Sequence, residues 1–133
     1  MIRIDHINRY VSNVEQFINF YQNVLDYKLI DRGMKDNGHK YAIMKGEGHE
    51  LFLSEKENFT KEDITNFRHI GYSVENADIL LNDLKNKGYI GKEQEIIVKS
   101  YSRQFYIEDP DGIVLDLIQW TDKKGFYNSL KYN

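Results

Sequence analysis

Apolar and polar positions along the chain switch between a period of two and a period of about 3.6, and they do so twice. Ile2 to Val11 reads as a strand, with Ile4, His6, Asn8 and Tyr10 on one face. Val14, Phe17, Ile18, Tyr21, Val24 and Leu25 then fall on one face of a helix. Ser12 followed by Glu15 predicts a capping box at its start. Tyr27 to Arg32 is the next strand, and Asp36-Asn37-Gly38 signals a turn. Lys40 to Lys45 and His49 to Ser54 are two further strands, separated by Gly46-Glu47-Gly48.

The second half has the same order. Phe67 to Val74 reads as strand, and Ala77, Leu80, Leu81 and Leu84 make a helical stripe that Gly88 ends. Tyr89 to Lys92 and Glu95 to Lys99 are short strand candidates, followed by Arg103 to Glu108. Asp109-Pro110-Asp111-Gly112 fits a type I turn, and Ile113 to Trp120 closes the unit.

His6-Ile7 and His69-Ile70 stand 63 residues apart, as do Val11 and Val74, and Asn13 and Asn76. The chain thus reads as a duplication. Module one covers 1–55 and a polar linker 56–66, with room for a helical turn. Module two covers 67–120, and a tail runs over 121–133, where Phe126, Tyr127 and Leu130 predict a short docking helix. The expected fold is α+β: two tandem β-α-β-β-β modules. One helix covers only one face of a four-stranded sheet, so the other faces are expected to form one curved sheet around a cavity.

Composition narrows the function. Of 133 residues, 41% are hydrophobic and 29% charged, as in ordinary globular chains. The net charge of -3 gives no support to nucleic-acid binding. No apolar run approaches the ~18 residues of a membrane span. Met1-Ile2-Arg3-Ile4-Asp5-His6 has no apolar h-region, so the expected compartment is the cytoplasm. With no cysteine, thiolate catalysis and thiolate metal sites are excluded.

The candidate chemistry lies on the strand faces turned from the helices. The duplication places His6 and His69 there together. The closing strands are aligned as Glu50-Leu51-Phe52 over Asp116-Leu117-Ile118, an offset of 66. Asp116 interrupts an apolar run, and a carboxylate inside a buried strand is costly unless paired or metal-bound. Two imidazoles and two carboxylates form an N/O donor set for Zn, Ni, Co, Mn or Fe. Each residue also has a plainer role open to it: Glu50 as a solvated strand-end charge, Asp116 as partner of Arg103 or Lys99. Arg103 is either an edge charge or an anion-binding group at the cavity rim. His39, in a turn, and His49, on the face opposite Glu50, are read as non-ligands. No phosphate loop, G-x-S-x-G elbow or H-E-x-x-H helix is present.

The chain resembles the vicinal oxygen chelate superfamily, which includes glyoxalase I, bleomycin-binding proteins, fosfomycin-resistance enzymes and extradiol dioxygenases. The resemblance rests on Asp5-His6-Ile7, on Phe20-Tyr21-Gln22-Asn23-Val24-Leu25-Asp26-Tyr27, on His69-Ile70-Gly71-Tyr72-Ser73-Val74, and on Glu108-Asp109-Pro110-Asp111-Gly112 leading into Asp116. It implies one divalent ion held by His6, Glu50, His69 and Asp116, with Asp standing where glyoxalase I has Glu. It further implies a lyase or isomerase of glyoxalase type, acting on a small substrate through two vicinal oxygens and an enediolate-like intermediate. Asp116 would be the proton shuttle and Glu50 a ligand able to detach, with Asn8, Phe52 and Arg103 contacting substrate. Fosfomycin-type addition to an epoxide and extradiol dioxygenation, which use two His and the last carboxylate, fit the same residues. A non-catalytic drug- or metabolite-binding role is the remaining alternative. The resemblance also implies a homodimer, with Phe126, Tyr127 and Tyr132 as candidate contacts or as a tail packed back on its own chain.

Overall fold

The computed structural model describes residues 3–64 and 66–130. The predicted strand start at Ile2 and the candidate contact Tyr132 lie outside them. The chain divides into two compact units, one of residues 1–66 with 109–112, the other of 67–108 with 113–133. The fold is α+β, and among the described residues eight strands hydrogen-bond into two four-stranded sheets rather than one continuous sheet.

In the first unit, β1 (His6–Val11), α1 (Val14–Leu25), β2 (Lys28–Met34), β3 (Lys40–Gly46) and β4 (His49–Glu55) follow one another. The sheet order is β1-β4-β3-β2, with β1 parallel to β4 and the other pairs antiparallel. Phe17, Tyr21 and Val24 of α1 are buried, as are Val11, Ala42, Met44, Leu51 and Leu53 of the sheet. Asn13 caps α1, its side chain accepting from the Gln16 amide at 3.0 Å. The capping box expected at Ser12 does not form, because Ser12 is turned to Asp111, to which both its amide and its hydroxyl donate. Asp26 ends the helix at φ 56°, and the Tyr27 amide returns to the Tyr21 carbonyl at 3.0 Å. Gly46 is required where it stands, since a Cβ there would lie 2.6 Å from the Tyr27 ring.

The Asp109–Gly112 turn belongs to this unit. It closes as predicted, the Gly112 amide donating to the Asp109 carbonyl at 2.9 Å. Its carboxylates are anchors, which the turn signal alone did not reveal. Asp109, with a fully buried side chain, accepts from Arg9 at 2.9 Å and from the Tyr21 hydroxyl at 3.1 Å. Arg9 also lies 5.0 Å over the Phe17 ring. Burial, and then the Asp109 charge, push the Tyr21 hydroxyl well above its ordinary pKa.

The second unit holds β5 (Ile70–Ser73), α2 (Ala77–Asn86), β6 (Ile97–Val98), β7 (Ser102–Glu108), β8 (Val114–Trp120) and α3 (Lys123–Asn128). Its order is β5-β8-β7-β6, with β5 parallel to β8. Asn76 caps α2 as Asn13 caps α1, accepting from the Ile79 amide at 3.0 Å. Leu81, Leu84, Phe105, Ile107, Leu115 and Leu117 are its buried core. The pattern predicts more strand than forms, and β6 is cut to two residues. β5 starts at Ile70 rather than Phe67, and Tyr89–Lys92 forms no strand. Tyr89 is instead held at the end of α2, where Gly88 stands at φ 82° and the Tyr89 amide donates to the Leu84 carbonyl at 3.0 Å. The tail helix forms, and Phe126 packs on Trp120 with ring centroids 5.0 Å apart.

Candidate metal centre

In β1, Ile7, Arg9 and Val11 turn toward α1, leaving His6, Asn8 and Tyr10 on the opposite, open face. In β4, Leu51 and Leu53 are buried, and Glu50 and Phe52 are half-buried on the open face. His6 and Glu50 are direct partners across the parallel pair. His6 Nδ1 is bonded to Asp5 Oδ2 at 2.9 Å, and the ring stacks on Phe52 at 4.7 Å. Such a carboxylate fixes the ring and leaves Nε2 for a metal.

In the second unit, His69 is exposed and directly precedes β5, while Asp116 of β8 is 8% exposed. Gln104 of β7 donates from Nε2 to both Asp116 oxygens, at 3.0 and 3.1 Å. The Ser102 hydroxyl donates to Gln104 Oε1 at 2.9 Å, which fixes the amide and through it the carboxylate. Burial pushes the Asp116 carboxyl above the usual carboxylate range, against the opposing pull of His69, Lys99 and the Gln104 bond. Among the described residues no Lys or Arg is in ion-pair contact with Asp116.

Arg103 sits on the other side of β7. Its Nε and Nη2 both donate to Asp78 at 2.8 Å, at the start of α2. Arg103, expected as an edge charge or an anion-binding group at the cavity rim, is thus bonded to Asp78, and among the described residues it forms no ion pair with Asp116. Strand alternation puts Arg103 with Phe105 and Ile107, against the helix. His49 is joined to the Tyr27 hydroxyl at 2.7 Å.

The two carboxylates are not repeat equivalents, which corrects the alignment at an offset of 66. Asp116 lies opposite Gly71, two residues after His69. Two residues after His6 is Asn8, which lies opposite Phe52. A second marker agrees. Glu55 accepts from the first amide of α1 at Val14, and Gln119 from the first amide of α2 at Ala77. From 55 to 119 is 64, and the same step carries Phe52 to Asp116 and Glu50 to Val114.

The sequence reading did not find Asp5 or Gln104 as supports of the site. Both were accessible in principle: Asp5 adjoins His6, and Ser102, Gln104 and Tyr106 alternate as a polar face opposite Phe105 and Ile107. Imidazole nitrogen and carboxylate oxygen are the donors that borderline divalent ions take, so the residues fit a metal. Among the described residues, no group of three or more His, Asp or Glu side chains is gathered closely enough to hold a metal ion.

Residues 3–117 match the profile of the Glyoxalase/Bleomycin resistance protein/Dioxygenase superfamily. A lactoylglutathione lyase of Neisseria meningitidis serogroup A is 29% identical over 98% of both chains. A metallothiol transferase FosB of Staphylococcus saprophyticus is 26% identical over 96% of this chain and 85% of that protein. The crystal structure of a glyoxylase/bleomycin resistance protein/dioxygenase domain from Frankia sp. EAN1pec has the same fold. It superposes with a TM-score of 0.73 at 20% identity, over 90% of this chain and 98% of that one. With two β-α-β-β-β units and a profile match over most of its length, this chain belongs to the Glyoxalase/Bleomycin resistance protein/Dioxygenase superfamily.

Proposed function

We propose that the chain is a cytoplasmic, homodimeric metalloenzyme of glyoxalase type. It would move a proton between adjacent carbons of a small substrate that carries two vicinal oxygens. His6, His69 and Asp116 are the proposed ligands of one divalent ion, Zn, Ni, Co, Mn or Fe, with Glu50 as the fourth. The observation that carries this reading is Asp116, a buried carboxylate held by a neutral amide and, among the described residues, in no ion pair with Lys or Arg. Left unpaired, such a charge is costly, and a bound cation offsets the cost.

A divalent ion held by these residues would supply Lewis acidity to the substrate. Asp116 then takes the proton from the adjacent carbon onto one Oδ and returns it to the neighbouring position. Gln104 keeps both Asp116 oxygens oriented through the exchange. Asn8, on the same face as His6, and Phe52, stacked on His6, would contact substrate.

A second reading, thiol addition to an epoxide, is favoured by Phe52 at the counterpart of Asp116. That reading needs only the two His and Asp116 as ligands. Turnover separates the two. Protein loaded with each metal is assayed against hemithioacetals of methylglyoxal and against fosfomycin with added thiols. Product from the hemithioacetals alone supports the first reading, and product from fosfomycin alone replaces it with the second. Sedimentation at micromolar concentration tests the dimer, and a monomer would reject it.

A further inference from the structure

The step of 64 that carries Phe52 to Asp116 also carries Ser54 to Ile118 and Lys56 to Trp120. These two positions are therefore apolar in the second unit and polar in the first. In the first unit, Ser54 lies opposite Tyr10 across the parallel pair of β1 and β4, on the open face. Two adjoining cavities, of about 230 and 390 Å³, share Tyr10, Lys35 and Ser54 as lining residues. The larger adds Asn37, Lys56 and the Glu57 carboxylate. Lys35 Nζ donates to Ser54 Oγ at 2.7 Å, and among the described residues Lys35 is in no ion pair. An ammonium has three N–H donors and a hydroxyl one O–H, so that bond leaves two Lys35 donors and the Ser54 proton. Ser54 is 7% exposed, which keeps water from its donor. Asn37 Oδ1 is taken by the His39 amide at 3.0 Å, which leaves the Asn37 side-chain NH2 as a further donor. Tyr10 is 61% exposed, with the Lys56 ammonium 5.9 Å from its ring centroid. Lys56 is itself paired with Asp63, so Lys35 carries the uncommitted charge.

We propose that Lys35, Ser54 and Asn37 bind the phosphate of a small phosphate monoester whose ring lies against Tyr10. A phosphate monoester presents three terminal oxygens, each a strong acceptor, and a carboxylate only two. Donors from three side chains match the former. Lys35 supplies the charge-assisted bonds, and the Ser54 hydroxyl supplies a fixed donor from the strand. The exposed Tyr10 ring gives the rest of the ligand an apolar surface to cover. Tyr10 is four residues beyond His6 on the same strand face, about 13 Å away, so the site is separate from the proposed metal ligands and does not rest on them.

Metal-stripped protein is titrated calorimetrically with phenyl phosphate, with inorganic phosphate, which lacks the ring, and with benzoate, which lacks the third oxygen. Phenyl phosphate is expected to bind saturably at one site per chain, at least tenfold more tightly than benzoate. Lys35→Met should weaken it at least tenfold and Ser54→Ala about fivefold. Tyr10→Ala should reduce phenyl phosphate to the affinity of inorganic phosphate and leave inorganic phosphate unchanged. Lys35 and Tyr10 are exposed, so these two substitutions keep the fold. Lys40→Met removes an exposed lysine outside both cavities and should change nothing. Absence of saturable binding, benzoate binding as tightly as phenyl phosphate, or no effect of Lys35→Met would overturn the proposal. An equal loss in Lys40→Met would also overturn it, since binding would then follow overall charge. Because no metal is present in these titrations, their failure leaves the metal assignment standing, and loss of the metal assignment leaves this site standing.

Discussion

Phe52 occupies in the first unit the strand position that Asp116 occupies in the second, since Asn8 opposite Phe52 repeats Gly71 opposite Asp116. The duplication has therefore left unequal ends on its two closing strands. One presents an aromatic ring that stacks on His6, the other a buried carboxylate. Glu50 reaches the first unit's open face from a different position, directly opposite His6. The first prediction follows from that inequality. Glu50→Gln should lower metal affinity less than tenfold, and Asp116→Asn should lower it far more, as read by competition with a chromophoric chelator. Equal losses would make the two carboxylates equivalent ligands after all.

Asp5 holds the His6 ring by Nδ1, and His6 depends on that bond for orientation. Asp5→Asn should cost about 10- to 100-fold in metal affinity, the usual effect of losing a carboxylate behind a histidine ligand. Asp5 is exposed, so the melting temperature of the metal-free protein should not move. An unchanged affinity would detach Asp5 from the site.

Arg9 and Asp109 are a buried pair on which the Asp109–Gly112 turn is fastened. Arg9→Met leaves the Asp109 carboxylate buried and uncompensated, at a cost of about 3–5 kcal/mol. Urea unfolding of the two proteins at neutral pH measures the difference. A change below about 1 kcal/mol would mean that Asp109 finds another partner or protonates.

Arg103 holds the Asp78 carboxyl below the usual carboxylate range through its side-chain bond. A depressed folded value means that the pair stabilises the fold above the unfolded carboxylate pKa, about 3.9. The contribution fades as pH falls through the lower folded value. Arg103→Gln should thus be less stable than the parent at pH 7, and the two should converge at strongly acidic pH. Metal content should stay unchanged, because Arg103 faces α2 and not Asp116. Loss of metal in this variant would restore Arg103 to the site.

The duplication, the helices and most strands could be read from the chain because their signals are local. Alternation placed His6 and Asn8 on the open face of β1, as observed. The failures come from effects that local pattern does not carry. Ser12 looks like a cap, but Asp111, 99 residues away, competes for it. Asp109 and Asp111 look like turn residues and act as buried anchors. Arg103 is a free cation in a pattern and a bonded one once α2 brings Asp78 beside it. The offset of 66 came from matching residue types on the closing strands. Only the strand register, marked by Glu55 and Gln119 at the helix starts, fixes it at 64.

Metal stoichiometry on purified protein and its variants tests the central claim most directly. Protein prepared without chelator, then loaded and desalted, should retain close to one divalent ion per set of His6, His69 and Asp116. His6→Ala, His69→Ala and Asp116→Asn should each lose it while keeping the far-ultraviolet spectrum of the parent. Full metal content in all three variants, or none in the loaded parent, would contradict the assignment of these residues as a metal centre.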